Sequence, residues 1–375
     1  MVQKPNAEWS ACRSELAHYN NFMIDFPMFK YSITRNQQGL SLIELMISIT
    51  IGLILLLGIT SLIVQQSSTR DELEKASRQI ENGRYATQLL HDDIQLAGYY
   101  GRYNPPTSTT YTSPDPCTQW NQGWNATTTS VAMPFYGYAP AATAPATCLT
   151  NYQPNTSVLV IRRVDSIAIP TTAQVTGATY LQTSGCSNET TPFVMGGSGF
   201  TLHNKDCTTA PPGTLSLLNR YVVRIYYVSS CDVCGSDTIP TLKVVENGGP
   251  SNGGTLTPLV EGIENLQLDY GIDTDNDGYP DNYCTNPDVS ASCITPLISP
   301  PAAPANWANV MSIRVNVLAR NTECTVGQTD NKQYQLGLAG TVSIPASNCT
   351  NGGYKRHVFS ELVRAINPSG RRAQQ

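Results

Sequence analysis

The stretch Leu40–Val64, LSLIELMISITIGLILLLGITSLIV, decides the architecture of this 375-residue chain. It runs for 25 residues with one charged side chain, Glu44, and is long enough to cross the hydrocarbon core of a bilayer as a helix. Lys30 and Arg35 precede it, and basic residues before a span keep that side in the cytoplasm. The sequence therefore predicts a membrane-spanning helix with everything after Val64 exported.

Two residues of this region carry functional signals. Glu44 is a lone carboxylate in an apolar span, which costs about 2–3 kcal/mol or more and marks a functional position by default. Snorkelling of Glu44 to the headgroup layer is the plainer alternative. Gly39 stands before the apolar run, whereas an ordinary secretory signal has a shorter apolar core followed by a small-residue cleavage site. The region is therefore not an ordinary secretory signal.

The helical pattern continues beyond the apolar run into an amphipathic stalk. Hydrophobic residues recur at three- and four-residue steps, which is typical of a helix with one apolar face. They are Leu73, Ala76, Ile80, Leu89, Leu90, Ile94 and Ala97. Gly98 follows the last of them and predicts the end of the helix. We therefore expect one long helix, with a membrane or fibre-core half over 40–64 and a stalk half over 65–97.

The remaining residues, 98–375, are expected to form a β-rich globular domain outside the cytoplasm. Six segments have the alternation and the residue types of strands. They are Ser157–Val164, Arg220–Val228, Thr241–Val245, Ile263–Tyr270, Val310–Leu318 and Tyr354–Ile366. The last also fits a helix, although a strand is favoured. Residues 105–154 show no periodicity and predict surface loops.

Cysteine usage indicates an oxidising compartment. Of the eleven cysteines, Cys12 precedes the apolar run and the other ten follow it. An even set in an exported domain predicts up to five disulfides, whereas a cytosolic protein would keep reduced thiols. The connectivity is open on sequence alone, and local closure is the pairing we favour. It joins Cys117–Cys148, Cys186–Cys207, Cys231–Cys234, Cys284–Cys293 and Cys324–Cys349.

The pair Cys231 and Cys234 also matches the C-x-x-C pattern of redox and zinc sites. A thioredoxin-type site lies at a helix start after a strand, and the residues after Cys234 do not predict a helix. Zinc would need two further ligands at a fitting spacing, and none is obvious. A structural disulfide is therefore the favoured interpretation.

The motif DTDNDGYPD, residues 273–281, resembles the first part of an EF-hand loop. Its carboxylates are Asp273, Asp275, Asp277 and Asp281, and the Tyr279 carbonyl is a further oxygen ligand. An EF-hand loop has a bidentate glutamate at its twelfth position, but Cys284 stands there in this chain. With this ligand missing, we expect weak, structural Ca²⁺ binding with a Kd of about 10⁻⁴–10⁻³ M. The alternative is a turn that favours Asp, Asn and Gly for backbone reasons.

Composition argues against nucleic-acid binding and catalysis. The chain has 23 basic and 28 acidic residues, and 19 and 25 remain once residues 1–39 are removed, so it lacks the excess of basic residues that phosphates require. His91, His203 and His357 are scattered, and no G-x-S-x-G, H-E-x-x-H or phosphate-loop pattern occurs. We expect no enzyme activity, no organic cofactor and no nucleic-acid partner.

The residues around Gly39, QQGLSLIELMISITIGLILL, resemble the class III prepilin signature. The resemblance implies that a prepilin peptidase cuts between Gly39 and Leu40, and that the new amine of Leu40 is methylated. It also implies that Glu44, the fifth mature residue, pairs with the N-terminal amine of a neighbouring subunit. Leu40 departs from the usual phenylalanine. A leader over 1–39 is long for this family, and translation is expected to start at Met28.

Later segments resemble the PilW family of minor pilins. They are HDDIQLAGYYGRY, PLVEGIENLQLDYGIDTDNDG, SIRVNVLARN and RHVFSELVRAIN. The resemblance implies a pilin-like α+β fold, in which the long N-terminal helix packs on an antiparallel sheet with disulfide-pinned loops.

The resemblance to the PilW family further implies a minor pilin that helps to initiate type IV pilus assembly and lies at or near the pilus tip. The expected partners are other minor pilins, the major pilin, the prepilin peptidase, the inner-membrane assembly machinery and a large tip adhesin. We expect a single-pass inner-membrane protein whose C-terminal domain is periplasmic and later reaches the pilus surface. A tip adhesin, a DNA-uptake pilin and a type II secretion minor pseudopilin remain alternatives, although the last is usually much smaller.

Overall fold

The computed structural model describes residue 39 and residues 41–106, 108–207, 214–294, 305–342, 349 and 352–373. The leader with its Met28, and Leu40 at the predicted cleavage site, lie outside these residues. The chain divides into two compact units, Met1–Val64 and Gln65–Gln375.

The first unit contains the apolar beginning of helix α1, which runs over Leu42–Leu96 for 55 residues. The backbone N–H groups of Glu44 and Leu45 donate to the Ser41 carbonyl at 2.9 and 3.1 Å, which forms the first turn. The hydrophobic side chains of 42–64 are exposed. By length and composition, α1 can cross a membrane.

Helix α1 ends where a glycine adopts a left-handed conformation. Gly98 has a φ of +71°, and its N–H donates to the Arg162 carbonyl at 2.9 Å. The side-chain amide of Asn367 donates to the carbonyls of Gln95 and Ala97 at 3.2 and 3.1 Å. Because a helix leaves its last carbonyls without internal partners, these bonds from a distant part of the chain complete the helix end.

In its described residues, the second unit contains the stalk half of α1, mostly antiparallel strands and two short α-helices. In chain order the strands are β1 (Thr110–Thr112), β2 (Ser130–Ala132), β3 (Phe135–Tyr138), β4 (Val158–Ile169), β5 (Tyr180–Thr183), β6 (Phe193–Gly196), β7 (Leu218–Ser229), β8 (Thr241–Glu246), β9 (Thr255–Glu261), β10 (Ile263–Ile272), β11 (Asn282–Cys284), β12 (Val310–Arg320), β13 (Thr325–Val326), β14 (Gly352–Gly353) and β15 (Arg356–Arg364). The short helices are α2 (Ala305–Ala308) and α3 (Ile366–Arg372). The predicted α+β class is confirmed.

Four strands form the sheet that the stalk half of α1 contacts. Their order is β11–β10–β12–β15, and every neighbouring pair is antiparallel. In the central strand β12, Val317 lies opposite Leu266 on one side and Phe359 on the other. The side-chain amide of Gln79 donates to the Ala319 carbonyl at 2.9 Å, which ties the helix to the end of β12.

A larger sheet has the order β3–β4–β7–β5–β6, with β8 paired to β7 and β9 to β8. Strand β7 is its centre, because β4 pairs with most of its length while β5 and β8 pair with its first and last parts. The pairing of β4 with β7 shifts register between Val164 and Ala168, and such an irregularity bends a strand.

Two hydrophobic cores stabilise the second unit. The first joins the stalk to the sheets, and Ala86, Leu90 and Ile94 of the helix are fully buried in it. The second is rich in aromatic residues. There the Trp124 ring packs edge-on against the rings of Tyr100, Phe193 and Tyr221, with centroid distances of 4.9, 5.4 and 5.6 Å.

The buried face of the stalk differs from the predicted one at its beginning. Leu73 and Ile80 were expected to be buried, but they are 66% and 49% exposed. The residues that face the sheet there are the polar Gln79, which donates to sheet carbonyls, and the small Gly83, which approaches a strand closely. Hydrogen bonding and close backbone approach, rather than side-chain hydrophobicity, therefore set the contact in this part of the helix.

Two further predictions are corrected. Residues 105–154 were expected to be loops only, but β1, β2 and β3 lie among them, and β3 joins the large sheet because it pairs with β4. Tyr354–Ile366 was expected to be one strand, but strand β15 ends at Arg364 and helix α3 begins at Ile366. The remaining predicted strands occur within a few residues of their expected bounds.

Candidate assembly site

The predicted processing and assembly residues lie at the beginning of α1. Gly39 and Glu44 are both exposed, and Glu44 lies in the first helical turn. Its carboxylate is thus near the positive end of the helix dipole, which favours a negative charge. The hydroxyl of Ser48 donates to the Glu44 backbone carbonyl at 2.7 Å, not to the carboxylate. The Glu44 side chain therefore lies on the outside of an apolar helix, where a partner can reach it.

A buried charged cluster fastens the far end of the stalk to the large sheet. The Asp93 carboxylate is 4% exposed and accepts hydrogen bonds from Arg163 Nε at 2.8 Å, Arg224 Nη1 at 3.4 Å and the Tyr226 hydroxyl at 2.9 Å. Burial and the negative charge of Asp93 raise the pKa of Tyr226 far above its usual value. Burial opposes the charge of Arg224, but the nearby Asp93 raises its pKa on balance. Tyr226 and Arg224 therefore stay protonated and continue to donate to Asp93.

A second charged contact holds the beginning of the stalk. The Glu72 carboxylate accepts hydrogen bonds from Lys355 Nζ at 2.6 Å and from the Thr325 hydroxyl at 3.0 Å. The bond from Lys355 is the largest influence on Glu72 and lowers its pKa. Sequence reasoning missed both anchors. Only Asp93 could have been noticed in the sequence, because this acidic residue stands next to Ile94 on the apolar face of the predicted helix.

The acidic loop 273–281 brings three of its predicted ligands together. One carboxylate oxygen each of Asp273, Asp275 and Asp281 lies within 4.8 Å of the others. The predicted ligand Asp277 is not part of this group, and its Oδ1 accepts the N–H of Tyr279 at 2.7 Å. The loop thus offers three convergent carboxylates, fewer than the four that the sequence suggested.

Hydrogen bonds within the loop hold these carboxylates in place. Asp273 is fully buried and accepts the N–H groups of Asn276 and Gly278 at 2.6 and 2.9 Å. Asp281 accepts the N–H and the hydroxyl of Thr274 at 2.7 and 2.8 Å, and the N–H of Thr274 is the largest influence that lowers the pKa of Asp281. These bonds agree with the backbone-turn interpretation, and they leave further carboxylate lone pairs for a cation, since each carboxylate can accept about four bonds.

The ten cysteines after the span form five disulfides, paired as local closure predicts. The pairs are Cys117–Cys148, Cys186–Cys207, Cys231–Cys234, Cys284–Cys293 and Cys324–Cys349. Cys231 and Cys234 lie in the turn between β7 and β8 and not at a helix start.

Comparison with known families connects this geometry to a class of protein. A model of the prokaryotic N-terminal methylation motif matches residues 34–60, which include Gly39, Leu40 and Glu44. A model of the family Type IV Pilus-assembly protein W (PilW) matches residues 225–367, from the second half of β7 to the start of α3. The chain is a PilW-like type IV pilin. Comparison with curated proteins and with solved structures finds no match.

The chain is a type IV pilus-related minor pilin, and its methylation motif and apolar helix fit a membrane anchor. The PilW family is structural and not enzymatic in kind. The pilus context implies interaction with other pilus components.

Proposed function

We propose that this pilin helps to initiate type IV pilus assembly and is incorporated at or near the pilus tip. The observation that carries the proposal is the lone carboxylate of Glu44, five residues after Gly39, in an otherwise apolar helical segment. A charge at this place disfavours a helix that remains isolated in lipid. It favours assembly with a partner that supplies the opposite charge.

Processing of the leader supplies that charge. Hydrolysis of the Gly39–Leu40 peptide bond by the prepilin peptidase produces an ammonium at Leu40, which is then methylated. In a fibre core of low dielectric constant, the Glu44 carboxylate and the ammonium of a neighbouring subunit attract each other strongly and remove each other's desolvation cost. Polar pairing of this kind fixes the axial position of one apolar helix against another.

Export and the oxidising compartment fit the same proposal. The leader stays in the cytoplasm, 40–64 spans the inner membrane, and 65–375 folds in the periplasm before it joins the fibre. Five disulfides are typical of such a compartment. The partners are other minor pilins, the major pilin, the prepilin peptidase and the inner-membrane assembly machinery, together with a large tip adhesin.

Deleting the gene and counting surface pili, in wild-type and retraction-deficient cells, tests the role in initiation. We expect few pili after deletion and restored pili when retraction is also blocked. Normal piliation with lost attachment would instead identify a tip adhesin, and normal piliation with blocked protein secretion a type II pseudopilin. Either result contradicts the proposal.

The Glu44→Gln variant tests the charge itself, with Ser48→Ala as a control one turn further along the same helix. We expect Glu44→Gln to be cleaved at Gly39, as shown by mass spectrometry, but to fail to restore pili to the deletion strain. Ser48→Ala should restore them. Restoration by Glu44→Gln at the native level contradicts the charge-pairing mechanism.

We further propose that the loop 273–281 binds Ca²⁺ weakly and in a structural role. Convergent carboxylate oxygens of Asp273, Asp275 and Asp281 are hard ligands that suit this ion. Calorimetry of the full-length protein in detergent should give a Kd of about 10⁻⁴–10⁻³ M. The Asp275→Asn variant should lose binding, whereas Asp71→Asn, at an exposed acid of the stalk, should retain it. Absence of binding at millimolar Ca²⁺ contradicts this proposal.

A further inference from the structure

The Cys231–Cys234 disulfide lies in a turn with unusual surroundings. It joins two residues only three apart, whereas the other four disulfides join residues 9 to 31 apart. Cys231 is buried, with 6% exposure, but Cys234 is exposed. Cys234 is therefore the member of the pair that an incoming thiol can reach.

A buried ammonium lies beside the exposed cysteine. Lys243, on β8, is 5% exposed, and its Nζ donates to the Asp232 carbonyl at 2.9 Å and lies 3.5 Å from Cys234 Sγ. Among the residues that the structure describes, no carboxylate oxygen lies within 4.0 Å of this nitrogen, and the Asp237 carboxylate attracts it only from a greater distance. A buried charge without a close counter-ion is costly. A thiolate at Cys234, formed by reduction of the disulfide, would supply that counter-ion.

Hydrogen bonds hold the turn without help from the disulfide. The carboxylate of Asp237 accepts the backbone N–H groups of Asp232 at 2.8 Å, Val233 at 2.7 Å and Ile239 at 3.0 Å. None of these bonds involves sulfur. Opening the disulfide therefore leaves the turn in place, with both cysteines close together and ready to close again.

We propose that Cys231 and Cys234 form a thiol–disulfide exchange site whose substrate is a dithiol. A thiolate of the dithiol attacks Cys234 Sγ, the bond between the two cysteines breaks, and Cys231 leaves as a thiolate that takes up a proton. The second thiol of the substrate then attacks its own sulfur in the mixed disulfide, and Cys234 leaves as a thiolate beside Lys243. Two electrons pass to this chain, the substrate becomes a disulfide, and the second proton goes to solvent.

The position of Lys243 determines the direction in which the site works. Its ammonium stabilises the reduced form through the Cys234 thiolate but gains nothing comparable from the neutral disulfide. A disulfide whose reduced form is stabilised is a stronger oxidant. The site therefore accepts electrons more readily than the four other disulfides, which close longer loops.

Titration of the full-length protein in detergent with dithiothreitol, itself a dithiol, tests this directly. Free cysteines are trapped with iodoacetamide and located by mass spectrometry. We expect Cys231 and Cys234 to become alkylated at least about ten times faster at pH 7 than any of the other eight disulfide-bonded cysteines, because a stabilised Cys234 thiolate leaves more readily and reacts faster with iodoacetamide. Reduction no faster than that of the other eight overturns the proposal.

The variant Lys243→Met replaces the ammonium with an apolar chain of similar length. We expect the equilibrium constant for reduction to fall about tenfold, which is about 30 mV for a two-electron couple, and the pH midpoint of Cys234 alkylation to rise. Lys332→Met, at an exposed lysine, should change neither. The unaltered protein gives a test that needs no variant. A midpoint for Cys234 at or above about 8.5, the pKa of a free cysteine, also overturns the proposal.

Discussion

Replacing Gly83 with alanine tests how the stalk meets the four-stranded sheet. An ideal Cβ at this position would lie 2.1 Å from Phe359 Cε2 and 2.4 Å from Cδ2, whereas ordinary van der Waals contact begins at 3.4 Å. The ring or the helix must therefore move by about 1.3 Å, the difference between 3.4 and 2.1 Å. Only a residue without a side chain permits this approach.

The expected cost follows from two opposing effects. Overpacking a well-filled contact costs about 1–3 kcal/mol. Because the added Cβ would lie about 1.3 Å closer to the ring than ordinary contact allows, we expect a cost in the upper part of that range. Alanine favours a helix interior over glycine by about 1 kcal/mol. We therefore expect Gly83→Ala to lower the free energy of unfolding by about 1–2 kcal/mol. Urea titration of the full-length protein in detergent, followed by tryptophan fluorescence, measures this change.

A double-mutant cycle identifies the cause of the loss. In a Phe359→Ala background the clash is absent, so Gly83→Ala should be neutral or should stabilise by up to about 1 kcal/mol. Gly370→Ala is the matched control, since its Cβ meets nothing within 4 Å and it also lies in a helix, α3. An equal loss with and without the Phe359 ring would refute the reasoning, as would a Gly83→Ala protein as stable as the native one.

Three further changes are informative in the same unfolding assay. Asp93→Asn should lower the free energy of unfolding by about 3 kcal/mol, because it removes the charge of the buried carboxylate that Arg163 and Arg224 share, and a loss below about 1 kcal/mol would contradict the anchor. Glu72→Gln should destabilise more at pH 7 than at pH 3. Since Lys355 lowers the pKa of Glu72 in the folded state, its contribution is present above the unfolded pKa and is lost as the pH falls through the folded pKa. If the free energies of unfolding of the native protein and the variant differed equally at both pH values, this role of Glu72 would be excluded. Replacing Cys117 and Cys148 together with serine should cost about 3–4 kcal/mol, because the bridge joins residues 31 apart, and full stability of the variant would show that the bridge adds nothing.

Patterns local in sequence predicted the elements of this fold well. The apolar run and the stripe through Leu90 and Ile94 predicted the long helix, because burial of such a stripe depends only on helical periodicity. Pairing between neighbouring cysteines was predictable for a similar reason, since short loops close easily. The pairing of the strands into two sheets was not, because it depends on contacts between residues far apart in the chain.

The contacts of the stalk with the sheets could not be derived from the sequence. Asp93 is buried only because β4 and β7 bring Arg163 and Arg224 to the same point, and neither strand shows this in its own residues. Gly83 looks like a weak position in a helix until the ring of Phe359 is placed opposite it. The same cause exposes Leu73, because close contact at Gly83 fixes which side of the helix faces the sheet.

The bonds from Asn367 to the end of α1 have a consequence for the order of export. On the export route proposed above, the stalk half of α1 precedes the globular residues, so its carbonyls at Gln95 and Ala97 receive their donors only after some 270 further residues have been translocated. Until then the helix end has only water as a donor. A chain that ends before Asn367, after proteolysis or at a premature stop codon, therefore lacks these two donors to the end of its stalk helix. In the proposed function, this difference would separate finished subunits from fragments before assembly.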